Sequence, residues 1–159
     1  MSTIEDPTRV FSSDDREWVP IPLVPKGEAW IKVIHADEEL HNVVFKFRFS
    51  PDCELPSHTH RCHAIAYTIS GEWEYEGLKL PVGGLAYEPV SSAHTPSSGP
   101  GAEIVVFLNS VDDQFLVNHL PDGTDVAFDM AFFKALEGIT AADAAKLIED
   151  VAAQAGASG

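Results

Sequence analysis

The chain has few cysteines, few positive charges and no long apolar run. Two cysteines in 159 residues, Cys53 and Cys62, are too few for a disulfide framework. Both are read as inert thiols, one buried and one half-exposed, since a free cysteine usually packs as a small apolar residue. Ten Lys and Arg against 25 Asp and Glu give a formal net charge of −15. A surface of that sign repels phosphate backbones, so nucleic acid is not an expected partner. No apolar run reaches the ~20 residues of a membrane-spanning helix. The first ten residues, MSTIEDPTRV, lack the charged-then-apolar pattern of a signal peptide. A cytoplasmic protein with no membrane partner is the expectation. There is no internal repeat.

At this length one domain is expected, able to bury roughly 68–70% of its unfolded surface. Apolar residues make up 45% and charged residues 22%, the proportions of an ordinary globular protein. Residues 1–17 are polar and read as a flexible segment. Three prolines between Trp18 and Pro25 rule out a helix or a central strand there, leaving an extended arm.

Short strands and turns then alternate. In Asn42–Phe49, Phe45, Phe47 and Phe49 share one face, and Val44, Lys46 and Arg48 share the other. Further strands are expected at Ala29–His35, His63–Ile69, Gly71–Glu76, Leu78–Leu80, Leu85–Glu88, Glu103–Asn109, Gln114–His119 and Asp125–Asp129. Such spacing predicts an all-β barrel or sandwich over residues 18–135. Residues 136–159 differ. Thr140 with Asp143 makes a capping box, and Ala144, Leu147, Ile148 and Val151 form one helical stripe. A short helix at about 140–154, then a frayed tail, is expected.

The stretch SHTHRCHAIAYTISG, residues 57–71, holds His58, His60, Cys62 and His63 within six positions. On a strand, residues two apart point the same way, so His58 and His60 project together as a pair of imidazole ligands. Cys62 has the same parity, which leaves a zinc site of His58, His60 and Cys62 open. His63 has the opposite parity and is placed at the mouth of the site.

Two spacings extend this pattern. His58-x-His60 precedes Gly71, and Gly83-x5-Pro89-x-Ser91-x2-His94 follows. Together they resemble the two motifs of the cupin superfamily over residues 52–98. The departures are specific. Asp52 and Ser91 stand where the motifs have glycine, Ser98 where the second has asparagine, and Ala64 or Ile65 where the first has a carboxylate. The flanks resemble a three-histidine branch, the dioxygenases that cleave 2,4'-dihydroxyacetophenone or acetylacetone, and in outline the ChrR-like cupin domain.

The resemblance implies a single cupin β-barrel, a jelly-roll-like double sheet with an N-terminal arm and a C-terminal helix. It implies a metal held by His58, His60 and His94, with Fe(II) foremost and Zn, Ni or Mn as alternatives. It implies a small hydroxyketone or β-dicarbonyl and O₂ as substrates, with a C–C bond broken beside a carbonyl. A metal-binding sensor module and a Lewis-acid isomerase are the alternatives. Glu88, at a strand end beside Pro89, could orient a ligand or act as a base. Tyr67, Trp73, Tyr75, Tyr87 and Phe107 are divided between barrel core and substrate wall, and His63 is added to the pocket. Lys46 or Arg48 could meet an anionic substrate inside the barrel. His35, His41 and His119 read as surface or hydrogen-bonded histidines. A homodimer is expected, paired through barrel edges and swapped N-terminal strands.

Overall fold

Alternation in the third strand builds one wall of the core. Val43, Phe45, Phe47 and Phe49 are buried, and their neighbours Val44, Lys46 and Arg48 are only partly covered. Each buried phenylalanine contributes roughly 1.5–3 kcal/mol through removal of its ring from water. The structure, a computed structural model, describes residues 6–157. The first five residues of the expected flexible segment, the last two of the tail and the Val151 side chain lie outside the described residues.

Thirteen strands are present among the described residues. They are β1 (Val19–Pro20), β2 (Ala29–Asp37), β3 (Asn42–Phe49), β4 (Cys53–Glu54), β5 (Ser57–His60), β6 (His63–Tyr75) and β7 (Leu78–Pro81). Then come β8 (Leu85–Glu88), β9 (Ala93–His94), β10 (Ser97–Ser98), β11 (Ala102–Asn109), β12 (Gln114–His119) and β13 (Asp125–Asp129). One sheet runs β1-β2-β3-β11-β6-β10-β4, with β7 and β8 also paired to β6. The other runs β13-β12-β5-β9. The two curl around one apolar core to make a barrel.

Two strands expected at His63–Ile69 and Gly71–Glu76 are one long strand, β6. Its pairing with β11 slips between Glu103 and Ile104, so that Ser70 faces Glu103 while Thr68 faces Ile104. The extra residue, Ile69, makes a bulge and flips the parity of the chain. Before it the even residues Ala64, Ala66 and Thr68 are buried; after it the odd residue Trp73 is. Gly71 follows the bulge at φ +71°, and a Cβ there would collide with the carbonyl oxygen of Gly101.

A helix that the sequence reading took as the end of the sheet domain closes the barrel. It is α1 (Met130–Leu136), capped by Asp129, whose Oδ1 accepts from the Phe132 amide at 2.9 Å. Phe133 stacks on Phe45 and meets Phe115 edge-on. The C-terminal helix is α2 (Ala141–Ala157), which ends three residues beyond the expected boundary. Its capping box forms, with the Asp143 amide donating to Thr140 Oγ1 at 3.2 Å. Ala144 and Ile148 are fully buried. The arm is used within the chain: β1 pairs with β2, and Glu17 accepts from the Ala141 amide at 3.1 Å.

Candidate metal centre

The three histidines come from two adjacent strands. His58 and His60 lie two apart on β5, and His94 on β9 is the cross-strand partner of His58. Nε2 of His58 is 3.0 Å from Nε2 of His60, which is 3.2 Å from Nε2 of His94. One ligand atom from each falls within 4.8 Å of the others.

Burial holds all three imidazoles neutral. His58 is driven well below 6.5 by desolvation and then by its histidine neighbours. His60 is lowered to about 4 by the same causes. His94 is lowered by desolvation. Three neutral rings then turn ring nitrogens onto one point. Nitrogens this close share either a proton or a cation, and neutral imidazole is a common metal ligand. Bonds of about 2.1 Å would set two such nitrogens roughly 3.0 Å apart at a right angle and roughly 3.4 Å apart in a tetrahedron. The donor set fits a transition metal: one separation matches the right-angled arrangement and the other lies midway between the two.

Glu88 is the carboxylate of the site. Its β8 position pairs directly with Ala64 on β6, one of the two positions where the cupin motif would have its own carboxylate. Glu88 is buried, with Oε1 3.2 Å from His94 Nε2 and Oε2 3.7 Å from His60 Nε2. Burial raises its pKa to about 7, against a hydrogen bond from the Tyr75 hydroxyl that lowers it. With the imidazoles neutral, these contacts are polar contacts rather than ion pairs. Tyr75 also stacks on His94, with ring centroids 4.2 Å apart.

The cavity beside the histidines is lined by Phe47, Phe49, Trp73, Val106 and other apolar side chains. Among the described lining residues the polar side chains are the three histidines, Glu88 and Asn118, whose Nδ2 donates to the Val126 carbonyl. No lysine or arginine lines it.

The structure divides the expected pocket residues. Trp73 lines the cavity. Tyr67, Tyr87 and Phe107 do not: they stand exposed on the outer face of the sheet, because β6, β8 and β11 put alternate residues on opposite sides. His63 is exposed on that face too, stacked near Tyr87. Lys46 and Arg48 also point outward, paired with Glu103 and lying over the Trp18 ring. They cannot meet a substrate inside. Cys62 is fully buried, and burial pushes its thiol up to about 12. It lies outside the histidine group, so the His58, His60 and Cys62 arrangement does not form. Cys53 is buried as well. His41 contacts Asp113, His119 contacts Thr59 and Asp125, and His35 stacks on Phe11.

Two motif departures keep the geometry that glycine would give. Asp52 has φ +52° and Ser91 has φ +76°, both in the left-handed region. The Ser91 amide donates to the His60 carbonyl at 2.8 Å, tying that turn to the ligand strand. Ser98, at the asparagine position, is buried and donates to the Glu72 carbonyl at 2.6 Å.

A curled double sheet with three histidines meeting beside an apolar interior defines a cupin-type metal centre. The chain belongs to the ChrR cupin-like domain family, whose model matches residues 7–112. Solved structures share the fold. An RmlC-like cupin from Ralstonia eutropha JMP134 aligns with TM-score 0.67 at 21% identity, over 78% of this chain and 80% of that one. A cupin-like protein from the same organism aligns with TM-score 0.68 at 24% identity, over 94% and 91%. An acetylacetone dioxygenase from Acinetobacter johnsonii aligns with TM-score 0.66 at 13% identity, over 86% and 93%. A search of curated proteins finds no match.

Proposed function

We propose that this chain is a mononuclear non-haem Fe(II) dioxygenase that breaks a C–C bond beside a carbonyl in a small, uncharged hydroxyketone or β-dicarbonyl. The observation that carries this reading is the meeting of three neutral imidazoles with one carboxylate in an otherwise apolar cavity. His58, His60 and His94 would hold the metal, which would supply Lewis-acid stabilisation of negative charge on a bound carbonyl substrate.

The chain's own residues do the rest. Three neutral ligands leave the charge balance to the substrate anion. Glu88, with its carboxyl oxygens 3.2 Å from His94 Nε2 and 3.7 Å from His60 Nε2, is placed to take the proton lost on enolisation. The Tyr75 hydroxyl holds that carboxyl by a hydrogen bond. The phenylalanine-lined cavity excludes water from the reacting carbon. Both atoms of O₂ enter the products, one on each carbon of the broken bond, so no external reductant is consumed. Support from the resemblance comes at the level of fold, through the dioxygenase neighbour.

Anaerobic loading with Fe(II), followed by oxygen uptake over a panel of hydroxyacetophenones and β-diketones, tests the proposal. Uptake with at least one substrate, at one O₂ per substrate, is expected. No uptake with any member, alongside tight retention of zinc, would overturn it. The second reading is a Zn or Ni sensor module, since three imidazoles suit those metals as well. In that case the purified protein carries zinc or nickel, and a small molecule shifts its melting without being consumed. A Lewis-acid isomerase would convert its substrate without oxygen.

A further inference from the structure

The outer face of the large sheet is covered over one half and bare over the other. Across β2 and β3 the N-terminal segment lies on it. The Trp18 ring sits 5.0 Å from Lys32 Nζ and 4.1 Å from the Arg48 guanidinium. Lys32 Nζ also donates to the Ser13 carbonyl at 2.9 Å. Across β8, β6 and β11 nothing from the described chain lies on the face. Leu85, Tyr87, Ile65, Tyr67, Ile69 and Phe107 stand there with 40% to 64% of each exposed.

These six are contiguous. Ile65 pairs with Tyr87 on one side and Phe107 on the other, and Tyr67 pairs with Leu85. An aromatic side chain buries ~150–250 Å² in full, so the patch offers on the order of 600 Å² of apolar surface. That is the upper end of what a monomer leaves in water, roughly 300–600 Å².

We propose that this face docks a second copy of the chain, β8-β6-β11 against β8-β6-β11 about a two-fold axis. Two arguments select that occupant. The first is charge. Each copy carries a formal −15, so two copies repel except where neither presents a charge, and none of these six side chains ionises near neutral pH. An anionic lipid surface would be repelled in the same way. The second is area. Two such patches together remove on the order of 1,200 Å², the lower bound for a stable specific interface, and a two-fold axis lets one patch serve both partners. The edge pairing and arm exchange expected from the sequence are not needed, because β1 already pairs with β2 of its own chain. The inner face of β6 carries Ala64, Ala66 and Thr68, so the docking surface and the metal centre lie on opposite sides of one strand.

Sedimentation velocity of the full chain at micromolar concentration tests this. A dimer is expected for the natural sequence. The double variant Tyr67→Glu/Tyr87→Glu is expected to be a monomer with unchanged metal content. A monomeric natural chain, or a double variant that stays dimeric, would overturn the proposal. Hydroxyl-radical footprinting needs no substitution and guards against a variant that fails to fold. Tyr67, Tyr87 and Phe107 are expected to be modified several-fold less in the dimer than in the diluted monomer. Equal modification in both states counts against this face. So does protection that appears only when neutral phosphatidylcholine vesicles are added, which would assign the face to a membrane surface.

Discussion

The Tyr75 ring lies parallel to the His94 ring, with centroids 4.2 Å apart and 9° between the planes. Its hydroxyl reaches the Glu88 carboxyl. One side chain thus fixes the plane of a ligand and the position of the carboxylate beside it. The two roles separate by substitution. Tyr75→Phe keeps the stack and loses the hydrogen bond. It is expected to retain metal and to lower kcat with KM little changed. Tyr75→Leu loses both, and a misaligned ligand typically costs 10–100-fold in metal affinity. Metal titration and steady-state kinetics on both variants check this. Equal metal loss in the two would mean that the hydroxyl, not the ring, holds His94.

Glu88 gives a sharper test, because it is buried between two ligands without belonging to the three-histidine group. Glu88→Gln keeps size and hydrogen bonding but cannot take a proton. Metal content should stay near one per chain, while kcat drops by roughly 10²–10⁴, the usual worth of a positioned base. Loss of metal in Glu88→Gln would make the carboxylate a ligand instead. His94→Ala is the contrasting control, expected to lose metal and turnover together.

The pairing of Glu88 with Ala64 marks the limit of what the sequence reveals. The histidine ligands were legible because HxH on a strand needs only local parity, and His94 follows a motif of fixed spacing. Glu88 was legible only as a carboxylate at a strand end. That it pairs with one of the motif's two empty carboxylate positions depends on the β6–β8 register, which no local pattern encodes. Tyr67, Tyr87 and Phe107 show the opposite failure. Aromatic residues near the motifs suggested a pocket, but β6, β8 and β11 alternate and put them outside. The bulge at Ile69 hid the continuity of β6, because an extra residue shifts parity without leaving a composition signal. The helix α1 was missed because MAFFKAL is apolar on nearly every side. A seven-residue buried helix shows no stripe.

Ser91 offers a prediction from backbone strain alone. At φ +76° it holds a conformation that costs a non-glycine residue about 1 kcal/mol or more. Ser91→Gly removes that strain but gains freedom in the unfolded chain, leaving a net stabilisation of roughly 0.5 kcal/mol. Asp52 has φ +52°, closer to the region that aspartate tolerates. Asp52→Gly should therefore gain less. Urea unfolding of both variants ranks them, and a destabilised Ser91→Gly would show that the serine hydroxyl matters more than its backbone.

The metal-free protein should lose stability in acid. An unfolded histidine takes up a proton as pH falls through 6.5, whereas folded His60 does so only near about 4. His58 and His94 are lowered as well. The unfolded chain binds more protons over that window, so stability falls as pH falls from 6.5 toward 4. Glu88 acts in the other direction. Its folded pKa of about 7 lies above the ordinary 4.5, so its contribution is present below 4.5 and lost as pH rises to 7. Three histidines outweigh one carboxyl. The melting temperature of metal-free protein is expected to drop across this range, and His60→Asn should flatten the slope. A melting temperature that rises on acidification would contradict the neutral-imidazole site.

The last prediction concerns substrate charge. The cavity lining has no lysine or arginine, and Lys46 and Arg48 are committed to Glu103 and Trp18 outside. Under the proposed function, the metal held by the three histidines would be the one positive group a substrate's negative charge could meet in this cavity. A second carboxylate elsewhere on the molecule would be buried among phenylalanines with no partner. Isolated burial of such a charge costs several kcal/mol, equivalent to at least about a thousandfold in kcat/KM. A neutral β-diketone should therefore be preferred over an oxo-acid of equal size by that margin. Lys46→Ala and Arg48→Ala should leave the preference untouched. Comparable turnover of the two substrates, or a preference that collapses in Arg48→Ala, would require a cation inside the barrel.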